Sequence, residues 1–187
     1  INPCFDSPFV DAGYDVADYY KVAPRYGTNE DLMHLFEEAH TRNMHILLDL
    51  VPGHTSSECR GFKESCRPEK NEYTDRYVWS DTVWNAPNNI GSIAGWIRGG
   101  YDRDGAAAVN FFTGQPALNY GFYNKDEGQK WQQDIHDEGP SSTRKELQNI
   151  IEFWLSLGCD GFRVDMAGSL VKNDPESKGT IALWNEI

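Results

Sequence analysis

The apolar positions change period several times along the chain, and each change marks an element. Leu32, Leu35, Phe36 and Ala39 recur at the i, i+3, i+4, i+7 spacing of one helix face. Thr28 stands ahead of them with Asp31 three residues on, a pair able to cap a first turn, so the pattern predicts a helix. Residues 45–51 are nearly all apolar, as in a parallel strand covered on both faces. A second helical stripe, Leu147, Ile150, Ile151, Trp154 and Leu155, predicts a helix capped at Ser142 or Thr143. Gly158 can end it, since glycine commonly follows a helix. A short apolar strand, 161–165, comes next. Pro175 suits the start of a last helix with Ile181, Trp184 and Ile187 on one face.

The remaining segments lack such periods. Residues 1–10 read as the end of a strand running into a loop at Pro8, and residues 11–28 as a turn-rich loop carrying Tyr14, Tyr19, Tyr20 and Tyr26. Residues 55–140 are rich in Gly, Asn, Asp and aromatics. Their strand-like pieces are short, such as Tyr77-Val78-Trp79 and Ala108-Val109-Asn110-Phe111-Phe112. The order is strand, helix, strand, long irregular insertion, helix, strand. That alternation predicts a parallel α/β architecture divided as 1–54, 55–140 and 141–187.

Composition narrows the function classes. There are 29 acidic and 17 basic residues, a net charge of −12, which disfavours nucleic acid and anionic membranes as partners. No apolar run approaches the ~20 residues that span a bilayer. The aromatic fraction is 13%, with six Trp and nine Tyr, and such rings serve both cores and the apolar faces of sugars. Cys59 and Cys66 share a polar loop, where they can pair or stay reduced. No His or Cys lies at the sequence spacing of a zinc motif. Charged residues close both strong strands, in Asp49-Leu50-Val51-Pro52-Gly53-His54 and Gly161-Phe162-Arg163-Val164-Asp165. Charged groups at the C-terminal ends of parallel strands read as an active-site floor.

Five stretches, in order, resemble the α-amylase superfamily of retaining glycoside hydrolases, family 13. They are the strand end at 1–8, the loop Asp11-Ala12-Gly13-Tyr14-Asp15-Val16-Ala17-Asp18-Tyr19, the motif Asp49 to His54, the motif Gln115-Pro116-Ala117-Leu118-Asn119, and Gly161 to Asp165. The segment from Tyr73 to Asp81 is similar to the oligosaccharide α-glucosidase branch. The resemblance implies a partial (β/α)8 TIM barrel, about strands 2 to 4, with an inserted domain B. It implies Asp165 as the nucleophile that forms a covalent glycosyl-enzyme. Arg163, two residues earlier and so on the same strand face, would hold Asp165 ionised and oriented. It implies His54 as a sugar-binding histidine, Tyr14 as the aromatic platform under that sugar, and Asp11 as a carboxylate for a terminal glucose hydroxyl. Asp49 is expected to support Arg163 or His54. Phe112 is expected either in the pocket or in the domain B core.

The pattern also departs from the family. The residue before the histidine is usually Asn and helps hold a structural calcium; here it is Gly53, which has no side-chain ligand, so that calcium is possible but not favoured, and no organic cofactor is implied because the nucleophile and acid do the chemistry. Asp102-Arg103-Asp104-Gly105 reads as a tight turn rather than a calcium loop. Endo-acting members place Lys-His after the nucleophile; Met166-Ala167-Gly168-Ser169 instead fits a small α-linked oligosaccharide as substrate. The family's general acid is a Glu after the fifth strand. The late Glu186 reads as a helix surface residue, so the chain is expected to be truncated at both ends and inactive alone. Its unpaired barrel edges are expected to lead to self-association or to leave the chain only marginally stable. The alternatives from other classes are a non-catalytic binding or assembly relative, and a transglycosylase or sugar isomerase on the same scaffold.

Overall fold

The computed structural model describes residues 1–87 and 93–187. Strand β1 (Phe5–Asp6) pairs antiparallel with β2 (Asp18–Val22). Helix α1 (Asn29–His40) leads to β3 (Leu47–Leu50). The insertion holds α2 (Arg60–Ser65) and a hairpin-like pair, β4 (Gly95–Arg98) with β5 (Ala106–Val109). Helix α3 (Glu138–Ser156) returns to β6 (Gly161–Val164), and α4 (Lys178–Glu186) closes the order.

β3 and β6 lie parallel with Asp49 opposite Arg163 and Leu50 opposite Val164. This is the expected α/β crossover: two parallel strands joined through the insertion and α3. The core forms where Leu48 and Leu50 of β3 meet Phe5, Phe36, Leu147, Ile150 and Trp154. Trp154 is fully buried and donates from its indole nitrogen to the Tyr19 carbonyl (2.7 Å), which ties α3 to β2. Among the described residues no helix is long and apolar enough to cross a membrane.

Several elements differ from the sequence expectation. The loop predicted over 11–28 contains β2. Its Tyr19 and Val22 are buried, and backbone bonds from Ala17 to Asp6 and from Ala23 to Cys4 flank its pairing with β1. The expected N-terminal strand shrinks to two residues, and its antiparallel partner is local. The α1 capping box at Thr28 and Asp31 is present as predicted. Leu35 is 45% exposed, at the rim of the α1 stripe rather than within it.

Helix α3 begins at Glu138 instead of Ser142 or Thr143. Pro140 falls in the first turn, where a missing amide costs nothing, so Gly139-Pro140 starts the helix rather than preceding it. Thr143 then donates back to the Gly139 carbonyl (3.0 Å) inside the helix. Leu155 is exposed on the far side of α3. Helix α4 starts at Lys178, after Ser177 in a left-handed conformation (φ 57°), rather than at Pro175. Its buried face is Gly179, Thr180 and Leu183, which leaves Ile181 exposed and Trp184 half-buried.

Inside the insertion, Tyr77 and Trp79 form single bridges to Leu118 and Ala107 rather than a ladder. Beyond β5, Phe111 and Phe112 are exposed, so Phe112 is not a core residue. Gly105 turns with φ 126° and donates to Asp104, giving the tight turn expected at 102–105. Cys59 and Cys66 flank the two ends of α2 and are both free thiols. A seven-residue helical separation is about 10 Å, beyond the ~7 Å over which a disulfide can bridge Cα atoms.

Candidate active site

The register of two strands builds the charged centre. Asp49 and Arg163 are Cα partners across β3 and β6, and Asp165 lies two residues past Arg163 on the same face. One guanidinium nitrogen, Nη1 of Arg163, donates to Asp49 Oδ1 (2.9 Å), Asp49 Oδ2 (3.2 Å) and Asp165 Oδ1 (2.9 Å). Asp49 is buried near the C-terminal end of β3, while Arg163 opposite it is more than half exposed. The Asp49 carboxylate, more than any other group, pushes the Arg163 guanidinium further up and holds it as a fixed cation. The Asp165 amide donates to the Leu50 carbonyl (2.8 Å), so its backbone continues the β3 pairing. Met166 then turns left-handed (φ 47°) and leads the chain away from the sheet.

The loop between β1 and β2 carries Asp11 and Tyr14 into the same neighbourhood. Asp15 organises this loop. It is 2% exposed and accepts from the Ser7 hydroxyl (2.9 Å), the Val10 amide (3.0 Å) and the Asp11 amide (3.1 Å). Tyr14 donates its hydroxyl to Asp49 Oδ2 (3.2 Å). Burial and then the Asp49 charge push the Tyr14 phenol up. Asp11 is held from the insertion, where Gln115 Nε2 donates to its Oδ2 (2.7 Å).

His54 is 2% exposed, in the loop after β3. Its Nε2 lies 3.0 Å from the Tyr14 carbonyl, which can only accept, so this nitrogen carries the proton. Its Nδ1 then accepts from Asn110 Nδ2 (3.4 Å). Burial lowers the His54 pKa, and both contacts suit a neutral ring. Asn110 also donates to the Gly53 carbonyl (2.7 Å) and accepts from the fully buried Lys172 (3.1 Å). Phe111 packs edge-on to the His54 ring at 5.7 Å.

The structure therefore brings together all six residues that the sequence singled out: Asp11, Tyr14, Asp49, His54, Arg163 and Asp165. Sequence reading missed Asp15, Asn110, Phe111 and Lys172. A buried Asp and a buried Lys leave no pattern in a polar loop, though Asp15 lay inside a quoted motif. A cavity of about 310 Å³ between β2, α3 and the insertion is lined by residues such as Tyr19, Tyr77, Arg76 and Glu146, and borders none of the six. Glu186 sits on α4 with both carboxylate oxygens on Arg144 Nε (3.0 and 2.9 Å).

Comparison with known proteins decides the family. Residues 1–182 match the model of the alpha amylase catalytic domain. The chain belongs to the alpha-amylase family. It is 38% identical over 174 residues to the oligo-1,6-glucosidase of Heyndrickxia coagulans, covering 92% of this chain and 28% of that protein. It is 34% identical over 178 residues to the trehalose synthase/amylase TreS of Mycolicibacterium smegmatis, covering 93% and 27%. The crystal structure of Bacillus licheniformis trehalose-6-phosphate hydrolase (TreA) superposes with a TM-score of 0.78 at 28% identity, over all of this chain and 34% of that one. The chain thus spans about 30% of the length of these relatives, and β3, β6 and their helices form part of the family's barrel.

Proposed function

We propose that the chain carries the nucleophile half of a retaining α-glucosidase site acting on α-linked oligosaccharides. One observation carries the reading: Asp165 and Asp49, at the ends of two adjacent parallel strands, share a single nitrogen of Arg163. In this reading Asp165 attacks the anomeric carbon as the leaving group departs, forming a β-glycosyl ester that water resolves. Arg163 keeps the Asp165 carboxylate ionised and aimed. Asp49 acts through Arg163 and Tyr14 as a positioning residue. Tyr14 bounds the sugar, the buried neutral His54 backs it through the Tyr14 carbonyl, and Asp11 accepts from a terminal glucose hydroxyl. The names of the relatives, an oligo-1,6-glucosidase among them, support an α-glucosyl substrate.

Retention also needs a second carboxyl about 5–5.5 Å from the nucleophile. The carboxylates identified around this end are already engaged: Asp49 by Arg163 and Tyr14, Asp11 by Gln115. Glu186 is engaged by Arg144. On this reading the chain alone does not turn over substrates that need leaving-group protonation. The family's structural calcium does not fit either. Gly53 supplies no side-chain oxygen, and the buried Lys172 ammonium already lies on Asn110 Oδ1.

The test uses a donor that needs no acid, 5-fluoro-α-glucosyl fluoride. Fluoride leaves as the Asp165 oxygen bonds to C1, and the ester accumulates. Peptide mass spectrometry is expected to find one fluoroglucosyl group on the peptide containing Asp165, and none in Asp165→Asn. Equal labelling of that variant, or no labelling of the native chain, sinks the assignment. A trehalose synthase-like isomerase is the second reading, favoured by the TreS match. It predicts the same adduct, released to an acceptor sugar rather than to water.

A further inference from the structure

At the opposite end of the parallel pair from Arg163, three segments bring metal-ligating side chains together. His40 ends α1, His45 lies two residues before β3, and Asp160 immediately precedes β6. His40 Nε2 lies 2.9 Å from Asp160 Oδ2, and His45 Nδ1 lies 3.0 Å from Asp160 Oδ1. All three ligand atoms fall within 4.8 Å of one another. We propose that His40, His45 and Asp160 form a zinc site that staples the end of α1 to the starts of β3 and β6.

The donor set, two imidazole nitrogens and a carboxylate oxygen, matches what Zn²⁺ takes, with water as the fourth ligand. Zn–N and Zn–O bonds of about 2.0–2.2 Å put tetrahedral ligand atoms about 3.3 Å apart. Each imidazole nitrogen already lies about that far from one oxygen of Asp160, His40 from Oδ2 and His45 from Oδ1. A shared ion on one of these oxygens needs the three atoms, now within 4.8 Å of one another, to draw in, and the largely exposed His45 has room to rotate toward it. The carboxylate is the fixed member. The Ile46 amide donates to its Oδ2 (2.7 Å), and the Asp160 amide donates to the Ile46 carbonyl (3.0 Å).

The neighbouring Cys159 is not a ligand, because its thiol turns inward to the Gly161 carbonyl (3.0 Å). The four residues of β3, at about 3.3 Å each, place this site about 13 Å from the Arg163 end. The ion's role is therefore structural and does not depend on the sugar chemistry.

The test is calorimetric titration of the chelator-treated 187-residue chain with zinc chloride, beside His45→Gln and His40→Gln. Gln at 45 keeps a donor for Asp160 and stays on the surface, so circular dichroism should show an intact fold. One zinc per chain is expected, with either variant weakening binding about tenfold or more. Free zinc at a hundredfold excess over Kd should raise the folded-to-unfolded ratio about hundredfold in the native chain and not in the variants. No zinc binding by the native chain, or equal affinity in both variants, overturns the proposal. The cluster would then be a hydrogen-bonded latch only.

Discussion

Lys172 offers the sharpest test of how the insertion is joined to the barrel. Its side chain is fully buried, and its ammonium has two neutral oxygen partners, Asn110 Oδ1 (3.1 Å) and the Ser169 carbonyl (3.2 Å). Burial lowers its pKa from 10.5 to about 8. The difference corresponds to about 3 kcal/mol of folding stability withheld while the amine is charged. The folded chain binds fewer protons than the unfolded chain between the two values. Stability therefore rises with pH through that window and is lowest below it. From pH 7 to pH 9 the gain from this one group is about 1.3 kcal/mol.

Lys172→Met keeps the length of the side chain and removes the titration. It also leaves Asn110 Oδ1 without a donor, at a cost of about 1–3 kcal/mol, so near pH 7 the two effects largely cancel. Urea unfolding followed by tryptophan fluorescence at both pH values measures the gap between the two proteins. Burial-raised tyrosines such as Tyr19 and Tyr120 titrate alike in both and drop out of the difference. The native chain should gain about 1.3 kcal/mol on the variant between pH 7 and pH 9. A gap that stays constant to within about 0.3 kcal/mol refutes a buried, charge-depressed lysine.

Other outcomes follow from the same geometry. Gly53→Asn would put a Cβ 2.6 Å from the Nδ2 of Asn110, a side chain that three hydrogen bonds hold in place. Thermal unfolding should show a loss of about 1–3 kcal/mol. Asp15→Ala orphans the Ser7, Val10 and Asp11 donors; about 3 kcal/mol should be lost in chemical unfolding, and fluoroglucosyl labelling of Asp165 should slow as Asp11 and Tyr14 shift. His54 should titrate below its ordinary 6.5 in an NMR pH series. Its contribution to stability is full above that value and declines as pH falls toward the folded-state pKa. A midpoint at or above 6.5 would mean that the ring is not buried as described. β6 has β3 as its hydrogen-bonded neighbour and no second strand partner among the described residues. Light scattering should therefore show concentration-dependent association, whereas a monomer at every concentration would rule out edge pairing.

Local chemistry alone determined a good part of this protein. The α1 capping box needed only Thr28 and Asp31, and β3 and β6 needed only short apolar runs, because propensity and period act over a few residues. Arg163 and Asp165 share a face by alternation, so their pairing was legible before any fold was known. Where neighbours decide, the sequence was silent or misread. The start of α3 moved to Glu138 because Pro140 is harmless in a first turn, and the buried face of α4 rotated onto Leu183. β2 was hidden in a tyrosine-rich loop, since its pairing with β1 follows from a turn organised by Asp15 rather than from a clean alternation.

The tertiary structure alone decided the register that sets Asp49 opposite Arg163, the hold of Gln115 on Asp11, and the chain from Lys172 through Asn110 to His54. These contacts join residues about 60 to more than 100 positions apart. No local pattern records them, because each exists only once β3, β6 and the insertion have packed together.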